Sequence, residues 1–85
     1  MNVGELRAEV RRRRALSRLL VQAAREMDIA AHFTKQAIDD ATDGKNTEGD
    51  EAAARGFEEE ARVGVGHIAS RLGYAVVEFT GRRAA

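Results

Sequence analysis

The sequence predicts a mainly α-helical chain with a minor β component. The expected architecture is an antiparallel hairpin of two long helices, followed by one C-terminal β-strand paired across a subunit interface. Three observations carry this. Apolar residues recur at helical spacing through two segments, a Gly-containing polar turn separates them, and a β-branched and aromatic run follows the second.

The first helix is expected over about residues 5–42. The stretch holds no Gly or Pro and is rich in Leu, Ala, Arg, Glu, Gln and Met, all good helix formers. Leu6, Val10, Leu16, Leu19, Leu20, Ala23, Met27, Ala30, Phe33, Ala37, Ile38 and Ala41 repeat every three or four residues. From Leu16 onward the apolar surface is wider than one stripe, which implies contact with more than one neighbouring element. The hairpin partner is one, and a second subunit is expected to be another.

Residues 43–47 are expected to turn. Gly44 suits the left-handed position after a helix end. Thr47 with Asp50 resembles a capping pair, and Glu48, Asp50 and Glu51 favour a helix N-terminus through the macrodipole. The second helix is expected over about 49–72. Ala53, Phe57, Ala61, Gly64, Ile68 and Leu72 fall on one face, where Ala61 and Gly64 would admit another helix closely. The glycines make residues 63–66 a point where this helix could break. Gly73 should end it.

Tyr74-Ala75-Val76-Val77-Glu78-Phe79-Thr80 reads as a strand, and residues 81–85 as a loose tail. A strand needs a neighbour for its amides and carbonyls, and nothing else in the chain reads as one. Pairing with the same segment of a second copy is the expected solution. The residues expected at an oligomer or partner interface are therefore Leu16, Leu20, Phe33, Phe57, Ile68, Val76, Val77 and Phe79.

Composition narrows the function classes. Eighty-five residues make one small domain, of a size that commonly needs a disulfide, a metal or a partner subunit for stability. The chain has no Cys, and its two His are few for a zinc site, which leaves the partner subunit. No apolar run approaches a spanning helix, and Met1–Leu6 does not read as a signal peptide, so a soluble cytoplasmic protein is expected. Twelve Arg against two Lys, with sixteen Ala, fit GC-rich coding, as in a GC-rich bacterium or its phage.

Net charge is zero but segregated. Residues 1–38 carry eight basic and four acidic side chains, 39–60 two basic and nine acidic, and 61–85 four basic and one acidic. Such blocks pair within a chain, between chains, or with separate partners. Arg7, Arg11, Arg14 and Arg18 share a helix face that could grip phosphate through bidentate guanidinium contacts. Zero net charge and the lack of aromatics near these arginines weigh against a dedicated nucleic-acid binder.

Three short patterns invite a sharper reading. Gly64-Val65-Gly66-His67-Ile68-Ala69 matches the G-x-G-x-x-A dinucleotide fingerprint, but no buried strand precedes it, and Glu78 lies only 14 residues after Gly64. Asp28–Ile38 resembles a helix-turn-helix core. That resemblance would imply DNA reading, yet Phe33 runs into Thr34 without a turn, so a continuous helix is expected. Asp39, Asp43, Gly44 and Asp50 fit positions 1, 5, 6 and 12 of a calcium loop, but Ala41 occupies position 3 and Asp replaces the usual final Glu. No catalytic constellation assembles from the remaining His and carboxylates. The expectation is a non-enzymatic regulatory protein, a homodimer by preference, that binds another macromolecule without cofactor or metal. The alternative is a nucleic-acid-binding regulator using the arginine face.

Overall fold

A computed structural model of the chain describes residues 1–73. The expected strand at 74–80, with Val76, Val77 and Phe79, and the tail at 81–85 lie outside the described residues. The described chain is two helices, α1 (Val3–Thr42) and α2 (Glu48–Arg71), joined by a short turn.

Helix α1 begins where Asn2, in an extended conformation, accepts the Glu5 amide at 2.8 Å through its side-chain oxygen. This satisfies one of the donors a helix start leaves open. The helix then runs without interruption through Asp28–Ile38, as expected from the missing turn. It stops at Asp43, and Gly44 takes the left-handed conformation with φ of 73°. The start of α2 differs from the expectation in detail. Thr47 is its N-cap but makes no side-chain bond to the open amides; its hydroxyl donates to the Glu51 carboxylate at 2.6 Å. Asn46 accepts the Glu48 amide instead, at 2.8 Å. The three carboxylates expected there, Glu48, Asp50 and Glu51, lie in the first turn, as the helix dipole favours. Helix α2 also continues through 63–66, so the glycines there do not break it. It ends at Leu72, and Gly73 adopts φ of 90°.

The helices pack through a seam of small residues. On α1 beyond Ala15, the buried and half-buried positions are Leu16, Leu19, Ala23, Glu26, Ala30, Phe33, Ala37 and Asp40. Their alternating spacing of three and four is the period of a coiled-coil seam. On α2 the facing row is Asp50, Ala54, Phe57, Ala61, Gly64 and Ile68, again three and four apart. The sequence reading put Ala53 and Leu72 in this row. Ala53 is half-buried as expected, Ala54 beside it continues the alternation of three and four, and Leu72 is exposed.

Direct contacts fix the antiparallel register. The Phe33 and Phe57 rings stack with centroids 5.9 Å apart and planes 11° from parallel. A methyl group on Gly64 would stand 3.8 Å from the Ala23 methyl. Only Leu16, Ala23, Ala30, Ala61 and Ile68 are buried hydrophobics among the described residues, and three of them are alanine. Leu16 and Ile68 contribute about 1.5–3 kcal/mol each by burial, the alanines much less.

The molecule measures 63 × 29 × 13 Å, with a radius of gyration of 18.0 Å. A compact chain of this length would have about 12 Å. The 13 Å dimension is one helix diameter, so the hairpin is a single layer with two open faces. Helix α1 has 40 residues against 24 in α2, and its start, through Val3, Leu6 and Val10, projects past the described end of α2.

Candidate interaction surface

Helix α1 carries three rows, each displaced by one residue from the last and so by about 100° around the axis. The first is the seam toward α2. The second holds Val3, Leu6, Val10, Arg13, Ser17, Leu20, Ala24, Met27, Ala31, Thr34, Ile38 and Ala41, with the same alternation of three and four over the whole helix. Its large members stay open: Leu20 is 53% exposed, Met27 47% and Ile38 62%. Beside them, Ala54, Arg55 and Glu58 of α2 complete a shallow groove with Met27, Ala31, Thr34 and Ile38. A mostly apolar row of this length, interrupted at Arg13 and left open on a single-layer hairpin, is the surface most suited to a further helix.

The third row lies about 200° from the seam and holds Arg7, Arg11, Arg14 and Arg18. All four are exposed. The ion pairs in this region belong to neighbours off that row: Glu9 binds Arg12 at 2.9 Å and Arg13 at 3.3 Å. The Arg12 guanidinium, which donates three bonds to it, holds the Glu9 carboxyl below its ordinary pKa. No ion pair joins Arg7, Arg11, Arg14 or Arg18 to another described residue. The sequence-predicted phosphate face is thus assembled and open.

The other sequence-predicted contact residues divide. Leu16 and Ile68 are buried in the hairpin seam, and Phe33 and Phe57 stack on each other within it. They hold this chain together. Leu20 is the member of the set that stays exposed among the described residues. Met27 and Ile38 complete its row and were legible in the helical spacing. Separating their row from the seam required knowing which side α2 takes.

Two acidic groups meet at the turn end of the seam. Asp40 and Asp50, both half-buried, lie close enough for their carboxyl groups to influence each other. Their interaction shifts the pKa of Asp40 down and that of Asp50 up, as for two like groups that resist ionising together. Gln36 donates to Asp40 at 3.4 Å, and Lys45 also favours its charged form. The charge of His32 partly offsets the rise at Asp50.

The patterns with cofactor or metal overtones fall wholly or partly inside helices. Gly64, Gly66 and Ala69 are interior to α2, where Gly64 serves the close approach to Ala23. Of the calcium-like set, Asp39 lies in α1 and Asp50 in α2, leaving a turn too short for a twelve-residue ligand loop. No cluster of three or more potential metal ligands occurs among the described residues. No described helix is long and apolar enough to cross a membrane.

Fold and surface together define an antiparallel two-helix hairpin with a coiled-coil-like seam and one face left apolar. Compared with protein families, curated proteins and solved structures, the chain shows no match.

Proposed function

We propose that this is a small non-enzymatic interaction protein that acts as an oligomer and modulates another macromolecule. The observation that carries the reading is the exposed Leu20–Met27–Ile38 row beside a seam too thin to stabilise much by itself. Burying that row against a partner supplies apolar area the hairpin lacks. In the same reading the C-terminal segment containing Val76, Val77 and Phe79 pairs as a strand across the subunit boundary, in the cytoplasm of a GC-rich bacterium or its phage. Sedimentation of the full chain tests assembly: species heavier than the 9.3 kDa chain are expected. A mass of one chain at every concentration refutes oligomeric action. Unchanged mass and stability in Val77→Pro and Phe79→Asp refute the strand pairing alone.

A second reading is supported by the arginine face. Arg7, Arg11, Arg14 and Arg18 are exposed on the side away from α2, in a spacing suited to successive phosphates. Binding there would weaken steeply with salt. Titration with DNA and RNA at two salt concentrations tests it. Arg11→Glu with Arg14→Glu should abolish binding, and no binding by the unmodified chain at low salt refutes the reading.

A further inference from the structure

We propose that the partner covering the exposed α1 row is a second copy of this chain, laid antiparallel so that α1 packs on α1 across a two-fold axis near residue 22. The inference deepens the oligomeric reading and rests on it. The row's symmetry and the charge blocks support this orientation, and the hairpin's thickness supports the stacking itself.

The row is symmetric along its own length. Its positions map onto one another when reversed about residue 22, so that Leu6 falls opposite Ile38, Val10 opposite Thr34, Ser17 opposite Met27 and Leu20 opposite Ala24. An isologous dimer requires this self-complementarity, since each contact must occur twice. The same axis brings Val65 of α2, which is 51% exposed, close to its own copy. Arg13 interrupts the row, but its long aliphatic stem can lie over the partner's Ala31 while the guanidinium stays in water.

The charge blocks select the same orientation. The first 38 residues are basic in balance, and 39–60 strongly acidic. Laying the copies parallel stacks acidic end on acidic end. Reversing one of them sets each basic end beside the partner's acidic turn, which favours association and discriminates against the parallel form. In the row flanking the interface, Arg14 comes opposite the partner's Asp28. Arg7 comes opposite the partner's Lys35, a like pair that costs little at an exposed, salt-screened rim.

The hairpin's thickness completes the argument. A layer 13 Å deep has no interior of its own beyond the seam, and stacking a second layer on it forms a four-helix bundle with a shared core.

The absence of Cys makes a direct test simple. A spin label on Lys45→Cys, in the turn of the full chain, reports where the two turns lie. The antiparallel dimer places them roughly 70 Å apart, from the axial rise between residues 22 and 45 taken twice. A parallel dimer places them within about 25 Å, given ordinary interhelical spacing. Sedimentation should show a dimer. Leu20→Glu, next to the axis and exposed in the single chain, should raise its dissociation constant at least about tenfold by burying two charges. Arg14→Asp and Asp28→Arg should each weaken the dimer by about three- to tenfold, because the pair occurs twice, and the double swap should restore it. A short turn-to-turn distance, a monomer at all concentrations, or a dimer indifferent to Leu20→Glu overturns the proposal. A dimer with a short turn-to-turn distance would overturn this pairing and leave the oligomeric reading intact, whereas a monomer at all concentrations would overturn both.

Discussion

Replacing Gly64 by alanine should stabilise the hairpin, and the expected size follows from two local facts. Gly64 is inside α2, where glycine costs about 0.5–1 kcal/mol relative to alanine through the freedom it loses on folding. The added methyl would stand 3.8 Å from the Ala23 methyl, an ordinary van der Waals contact, so it fills space without pushing the helices apart. The gain should therefore be about 0.5–1 kcal/mol, with a small further contribution from the new contact. For a domain of this size that is a rise in melting temperature of about 2–8 °C. Gly56→Ala isolates the backbone contribution. It lies in the same helix with nothing within 4 Å of the added methyl, and should gain a similar amount. Gly44→Ala should do the reverse. Its φ of 73° strains any residue with a side chain, and the cost should be about 1–2 kcal/mol. Gly64→Leu should also destabilise, because an alanine-lined seam leaves no room for a branched side chain. The assay is thermal unfolding followed by far-ultraviolet circular dichroism at fixed protein concentration. Should Gly64→Ala lower the melting temperature while Gly56→Ala raises it, the helices lie too close at Ala23 to admit the methyl at 3.8 Å.

Other outcomes test different parts of the same account. Leu16→Ala and Ile68→Ala should each cost about 2–3 kcal/mol, the low end for such truncations because the thin seam can relax around the loss; melting unchanged by either would remove both residues from the core. Asn46→Ala should cost about 0.5–1 kcal/mol by leaving the Glu48 amide without its acceptor, read as faster amide exchange in the first turn of α2. The Asp40–Asp50 pair gives a pH test. With its pKa raised above the ordinary 3.8, Asp50 contributes stability that is complete below 3.8 and lost as pH rises through its folded value. Asp40, lowered, contributes in the opposite sense: its stability is present above 3.8 and lost as pH falls through its folded value. Asp50→Asn should therefore raise the melting temperature at pH 7, where two carboxylates otherwise face each other, and give no gain at pH 3. An equal shift at both values would show that the two groups do not interact.

Several features followed from local chemistry alone. A run of strong helix formers without Gly or Pro sets α1, and polar residues around Gly44 set the turn, because both depend on neighbours in sequence. The missing turn between Phe33 and Thr34 was enough to expect one unbroken helix across Asp28–Ile38. By contrast, the cap of α2 turned on which of Asn46 and Thr47 reaches the open amide, a choice made by rotamers and not by residue type. Continuity through 63–66 was likewise beyond local rules. Gly64 is a poor helix former, but packing against Ala23 holds the helix across it.

Spacing in α1 establishes a broad apolar surface and cannot divide it, since residues at positions 16, 19 and 23 and at 20, 24 and 27 satisfy a helical repeat equally well. Only the placement of α2 makes that division. It buries Leu16 and stacks Phe33 on Phe57, turns Leu20, Met27 and Ile38 toward open space, and sends the arginines to the far side. The physical reason is that helix propensity is set residue by residue, whereas burial is a property of pairs of surfaces. Which row becomes core is decided when two helices meet.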